Sequence, residues 1–177
     1  MEIYFDNAAT TRLSARAAAV ADQVAQEVYG NPSSLHLAGV RAEAAVREGA
    51  EKIAETLKAE SGELIFTSGG TEADNLAILG TARARKGYGR HLITSAVEHP
   101  AVLEAMRFLS EQDFSVTILP VDAAGHISLE DLRTALRKDT ILVSLMYVNN
   151  EIGAIQPVAE SAALVHAANP DCYFHVD

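Results

Sequence analysis

Positive charge is scarce in this chain: 14 Lys and Arg stand against 24 Asp and Glu, for a net charge of −10. Nucleic-acid phosphates are held by clustered Lys and Arg, so this balance argues against a nucleic-acid surface. Arg83, Arg85, Lys86 and Arg90 make the one tight basic group, expected at the solvated end of a helix and the turn after it. Cysteine is almost absent. A lone Cys172 excludes an internal disulfide and any multi-cysteine zinc site, and a reducing, cytoplasmic setting is expected. Cys172 itself, just ahead of an expected strand, reads as structural. No apolar run approaches the ~20 residues of a membrane span, and no cationic and apolar leader opens the chain, so neither membrane association nor export is expected. Repeats and low-complexity stretches are missing too. So are Gly-x-Gly-x-x-Gly and Gly-Lys-Ser/Thr, which excludes a dinucleotide fingerprint and a nucleotide P-loop.

What the chain does have is 49% hydrophobic content in 177 residues, enough to bury a core. Short strands are expected at 3–5, 63–67, 91–96, 116–120, 141–148 and 173–176. Helices are expected at 14–28, 35–58, from Thr71 through Ala84, and at 101–110, 128–137 and 157–168. The run 141–148 is nearly all apolar, as in a strand buried on both faces. Val46, Ala50, Ile53 and Leu57 form an apolar stripe on the second helix, and Leu129, Leu132 and Leu136 on a later one. Ser128 and Asp131 have capping-box spacing. His36 stands where a cap or interface residue would. The alternation of strands and helices defines an α/β class with a mainly parallel sheet flanked by helices. In such sheets ligands bind beyond the carboxyl ends of the strands.

One stretch organises the rest: Phe66-Thr67-Ser68-Gly69-Gly70-Thr71-Glu72-Ala73-Asp74-Asn75. It reads as strand, glycine turn and helix start in succession. Gly69 and Gly70 allow the backbone close to a ligand, and Thr71 sets a hydroxyl beside the unpaired N–H groups of the first helical turn. Together these suit a phosphate.

Further motifs follow in order: Asp6-Asn7-Ala8-Ala9-Thr10-Thr11, Asn31-Pro32-Ser33-Ser34-Leu35-His36, Glu98-His99-Pro100, Asn149-Asn150-Glu151-Ile152-Gly153 and His175-Val176-Asp177. With the glycine turn, this set resembles the cysteine desulfurases. Those enzymes are fold-type I, class V aminotransferase-like users of pyridoxal 5'-phosphate (PLP). The resemblance runs from residue 3 to Asp177 and reaches neither the family's Ser-x-His-Lys segment nor its reactive cysteine.

It implies three regions: 1–13 as an arm covering the active site, 14–58 as N-terminal helices, and 59–177 as part of the large PLP-binding domain. It further implies that Gly70 and Thr71 hold the phosphate, that His99 stacks on the ring as the catalytic residue, and that Asn150 reaches the ring oxygen. Asp177 pairs with the pyridine nitrogen, strengthening the ring as an electron sink. The implied reaction takes L-cysteine to L-alanine and passes sulfur to an enzyme cysteine as persulfide, as in iron–sulfur cluster assembly. Lys52, Lys58, Lys86 and Lys138 do not match the family's lysine context, so residues 1–177 alone are expected to be inactive. The implied partners are a second copy in a homodimer or a completing polypeptide, and a sulfur-acceptor or scaffold protein. The same motifs leave selenocysteine lyase, kynureninase, or a noncatalytic partner-binding protein as alternatives.

Overall fold

A computed structural model describes residues 3–177, which divide between Phe66 and Thr67 into two units. The first holds helices α1 (Ala15–Glu27) and α2 (Leu37–Leu57). Both begin on side-chain caps: the Ser14 hydroxyl accepts from the Ala17 N–H at 3.2 Å, and His36 Nδ1 accepts from the Gly39 N–H at 3.2 Å. His36 is therefore a helix cap. The end of α2 turns through Lys58 in the left-handed region. No side chain of α1 is buried, and Ala17, Val20, Ala21 and Val24 line an open apolar hollow.

Three expectations fail in this unit. The stripe Val46, Ile53 and Leu57 is exposed rather than core, because no apolar face packs on it among the described residues. Residues 3–5 pair with no strand; instead the Tyr4 hydroxyl donates to the Asp6 and Thr10 carbonyls and closes a loop. Residues 64–67 are likewise unpaired, with Ile65 and Phe66 at 69% and 60% exposed. Strand propensity there is real, but a strand also needs a neighbouring ladder to receive its backbone groups.

The second unit is a parallel sheet with helices on both faces. It comprises α3 (Gly70–Arg85), β1 (His91–Ser95), α4 (Pro100–Ser110), β2 (Ser115–Leu119), α5 (Leu129–Ala135), β3 (Thr140–Leu145), α6 (Val158–Ala168) and β4 (Tyr173–Val176). The strand order is β2-β1-β3-β4, with every pairing parallel. The central strands β1 and β3 are buried throughout, as strands with both faces covered must be, and their polar residues, His91, Thr94, Ser95, Thr140 and Ser144, are buried with the apolar ones. Strand alternation splits their side chains into two cores. Leu92 and Leu142 pack with Ile78, Ala82, Val102 and Met106 of α3 and α4. Ile93 and Val143 pack with Leu132 of α5, Val165 of α6 and Cys172. Leu142 is 1% exposed, so Leu142→Ala is expected to cost about 2–5 kcal/mol in chemical denaturation.

Polar residues close the unit's ends. Ser128 caps α5 through the Asp131 N–H at 3.2 Å. Cys172 is 2% exposed and burial pushes its thiol up to about 11; it stays protonated at neutral pH, as a structural cysteine would. Arg85 departs from its expected solvated place. Its guanidinium lies 3.9 Å from the centroid of the Tyr88 ring and donates to the Asp171 carbonyl at 2.9 Å, tying the end of α3 to the segment entering β4. No helix among the described residues is long and apolar enough to cross a membrane.

Candidate functional site

A parallel sheet sends all its strands out at one end, and the loops leaving β1 and β3 meet there because the two strands are neighbours. After β1 the chain runs through Glu98 to His99, which caps α4: His99 Nδ1 accepts from the Ala101 N–H at 3.1 Å, with Pro100 at the first helical position. An Nδ1 that accepts leaves the ring hydrogen on Nε2. After β3 the chain enters the turn Asn149-Asn150-Glu151-Ile152-Gly153. The Asn149 side-chain oxygen accepts from the Glu151 and Ile152 N–H groups at 2.9 and 3.0 Å, and Gly153 takes a φ of 73° as its N–H donates to the Asn149 carbonyl. Only glycine holds that conformation without strain. His99 and Asn150 thereby line one cleft of about 440 Å³.

Asp177 follows β4, the strand beside β3, and its carbonyl accepts from the Tyr147 N–H at 2.8 Å. Gly70 and Thr71 open α3, which starts at Gly70, one residue before the expected Thr71. No side chain caps this helix, so its first N–H groups face outward with the positive end of the helix dipole. Glu72 turns back instead to accept from the Ser68 N–H and hydroxyl. Thr71 follows an extended, unpaired segment rather than the strand expected before it.

Beneath these exposed groups lies a floor of buried polar residues that sequence reasoning left unassigned. Asp74, one turn past Thr71 on α3, is 5% exposed, and its Oδ1 is 3.6 Å from His175 Nε2. His175 Nδ1 in turn meets the Ser144 hydroxyl at 2.8 Å. Burial is the main cause raising the Asp74 pKa, with the Asp177 charge adding to it and His175 and His99 opposing. Burial lowers the His175 pKa, while Asp74 and Asp177 work against that. The approach of Asp74 to His175 sets α3 against β4, and the charges of Asp177 and His99 both act on Asp74.

Glu98 is 5% exposed. Its Oε1 accepts from the Ser95 hydroxyl at 2.5 Å and from the Met146 N–H at 3.0 Å, and its Oε2 is buried without a partner. Burial pushes its carboxyl up to about 7, with Asp177 and Asp74 contributing and its two hydrogen bonds opposing. Burial and the lack of a partner at Oε2 both favour the neutral acid over the carboxylate, with Oε1 left as the accepting C=O.

His99 and Asn150 therefore offer a flat imidazole and a carboxamide to one cleft, while the start of α3 and the Asp177 carboxylate offer an anion site and a negative charge. The chain belongs to the aminotransferase class-V family, whose model matches residues 3–177. Within that class its similarity is to cysteine desulfurases. It is 49% identical over 176 residues to the cysteine desulfurase IscS of Dictyoglomus turgidum, covering 99% of this chain and 44% of that one. It is 48% identical over 175 residues to a NifS/IcsS protein homolog of Lactobacillus delbrueckii subsp. bulgaricus, with coverages of 99% and 45%. Among solved structures, a NifS-like protein superposes with a TM-score of 0.97 at 40% identity, covering 100% of this chain and 48% of that one. SspA in complex with cysteine superposes at 0.92 and 37% identity, covering 98% and 50%. The chain thus spans about half the length of the relatives it matches.

Proposed function

We propose that this chain carries the cofactor-holding part of a PLP-dependent cysteine desulfurase, which converts L-cysteine to L-alanine and passes the sulfur to an enzyme cysteine as persulfide. The observation that carries the reading is the position of His99, Asn150 and Asp177 after the adjoining strands β1, β3 and β4, with α3 brought to the same sheet by the approach of Asp74 to His175 of β4. The residues fit the cofactor. A Cβ added at Gly69 or Gly70 would meet nothing within 4 Å, which leaves the backbone at this helix start open to close approach by a phosphate. Gly70 and Thr71 would hold the phosphate, Asn150 the ring oxygen, and Asp177 the pyridine nitrogen. When bound, PLP supplies an electron sink for charge developing at the substrate carbon. His99 presents a ring already fixed by its bond to the Ala101 N–H, suited to stacking, with Nε2 left to hold or move a proton.

No lysine of the second unit is at the site end: Lys86 precedes β1 and Lys138 precedes β3, both at the opposite end of the sheet. Lys52 and Lys58 of the first unit do not match the family's Ser-x-His-Lys context, so on this reading the lysine that secures the cofactor comes from sequence other than residues 1–177. The apolar face of α1 and the exposed Ile65 and Phe66 support association with a further polypeptide segment or with a second copy in a homodimer. The reading extends to a sulfur-acceptor or scaffold partner, and it keeps the cytoplasmic setting.

The test is cysteine turnover by the full-length protein that contains this segment. Equimolar alanine and protein-bound persulfide are expected from L-cysteine in a single turnover with PLP present, and neither from residues 1–177 alone. Turnover of another amino acid with no alanine from L-cysteine would reject the substrate assignment.

A further inference from the structure

We propose that Glu98 and Asn149 are positioning residues that staple the loop after β1 to the loop after β3, so that His99 and Asn150 face a ligand at a fixed separation. The proposal rests on the cofactor reading of the site for its purpose, but the staple itself is a matter of geometry.

Two bonds cross between the loops; both are donated from the β3 side, but the side chains that make them reach across in opposite directions. From the β3 side, the Asn149 Nδ2 donates to the Val97 carbonyl at 2.9 Å. From the β1 side, Glu98 Oε1 accepts from the Met146 N–H at 3.0 Å. Each crossing side chain is also anchored within its own loop. Asn149 holds the Glu151 and Ile152 N–H groups, and Glu98 takes the Ser95 hydroxyl. Each is the immediate neighbour of a residue assigned to the ligand, Glu98 of His99 and Asn149 of Asn150. Both are buried, at 5% and 8% exposed, whereas His99 and Asn150 are exposed. Water therefore competes poorly for the crossing bonds, and loss of one partner leaves a buried polar group unpaired. Loops are ordinarily the most mobile parts of a fold, and a binding constellation requires placement to about 0.5 Å. A reciprocal, buried pair of cross-loop bonds meets that requirement without either side chain touching the ligand.

The staple predicts coupling across the gap. In the full-length protein stripped of cofactor, Asn149→Ala is expected to speed hydrogen exchange roughly tenfold, both at 151–152, which it holds directly, and at 96–99 in the other loop. Glu98→Leu removes the acceptor at similar volume and is expected to loosen 146–152 reciprocally. Glu98→Gln keeps the accepting oxygen and stays within about threefold of wild type. The same variants are titrated with PLP and followed by visible circular dichroism. Asn149→Ala and Glu98→Leu are expected to weaken binding about tenfold and to reduce the dichroism per bound cofactor, with Glu98→Gln restoring both. If Asn149→Ala does not fold, the Leu and Gln variants of Glu98 decide the matter. Exchange that rises only in the mutated residue's own loop overturns the staple. So does cross-loop loosening with unchanged PLP affinity and dichroism. A wild-type protein that binds no PLP refutes the cofactor reading instead, and the cross-loop exchange alone then decides whether the staple exists.

Discussion

Asp177→Asn in the full-length protein is expected to lower alanine release from L-cysteine roughly a hundredfold or more, chiefly in kcat, while leaving a folded, PLP-binding protein. Replacing a carboxylate with an amide of the same shape removes one charge and little volume. On the proposed reading that charge lies at the pyridine nitrogen, where it favours the protonated ring and so the electron sink. A preorganised charge aimed at charge developing in the reaction is worth about 10²–10³ in rate. The phosphate, stacking and ring-oxygen contacts belong to other residues, so affinity should fall far less than turnover. The surroundings sharpen the test. Asp177 lies within electrostatic reach of Asp74 and Glu98, and its negative charge helps to raise both of their pKa values. The Asn variant should therefore also let both carboxyls titrate at lower pH, a shift that NMR can follow without turnover. A variant within threefold of wild-type kcat would remove Asp177 from the site.

The α/β alternation of the second unit was legible because it is written in local periods: a nearly continuous apolar run at β3, and helical stripes such as Leu129 and Leu132. The caps at Ser128 and His36 were legible for the same reason, since each acts within three residues of itself. The failure at 64–67 is instructive in the opposite sense. Leu64, Ile65 and Phe66 have strand propensity, but whether a ladder forms depends on neighbours that no local period encodes. The exposed candidates at Gly70, Thr71, His99, Asn150 and Asp177 were found because they sit in recognisable motifs.

Asp74, Glu98, Asn149 and His175 were in the same motifs and went unassigned, because their roles depend on contacts between elements far apart in sequence. Asp74 meets His175, and Glu98 meets Met146. A weak signal did exist. Asp74 follows Thr71 by three residues on a stripe of otherwise small or apolar side chains, and Glu98 comes soon after a strand with no exposed position. A polar residue in such a place is either an error of folding or a fixed part of a site.

Glu98 also gives a large expected dependence of stability on pH. Burial raises its carboxyl from 4.5 to about 7, so between those values the folded protein holds a proton that the unfolded chain has released. Stability must then fall as pH rises through that window. The contribution is fully present below about 4.5 and is lost above about 7. His91 works in the other direction. Buried between the Thr140 and Thr117 hydroxyls, it is lowered from 6.5 to about 4, so its contribution is lost as pH falls through that range. Comparing wild type with Glu98→Gln at each pH cancels His91 and isolates Glu98. Relative to wild type, the Gln variant should gain stability as pH is raised from 4.5 to 7, by on the order of 3 kcal/mol in total. Above that range the advantage should be constant, because wild type then carries a buried carboxylate with one unpartnered oxygen. Urea denaturation of both proteins across pH 4 to 8 measures the difference directly. A flat difference would mean that Glu98 titrates as an ordinary exposed acid, and the neutral form assigned to it at the base of the cleft would be wrong.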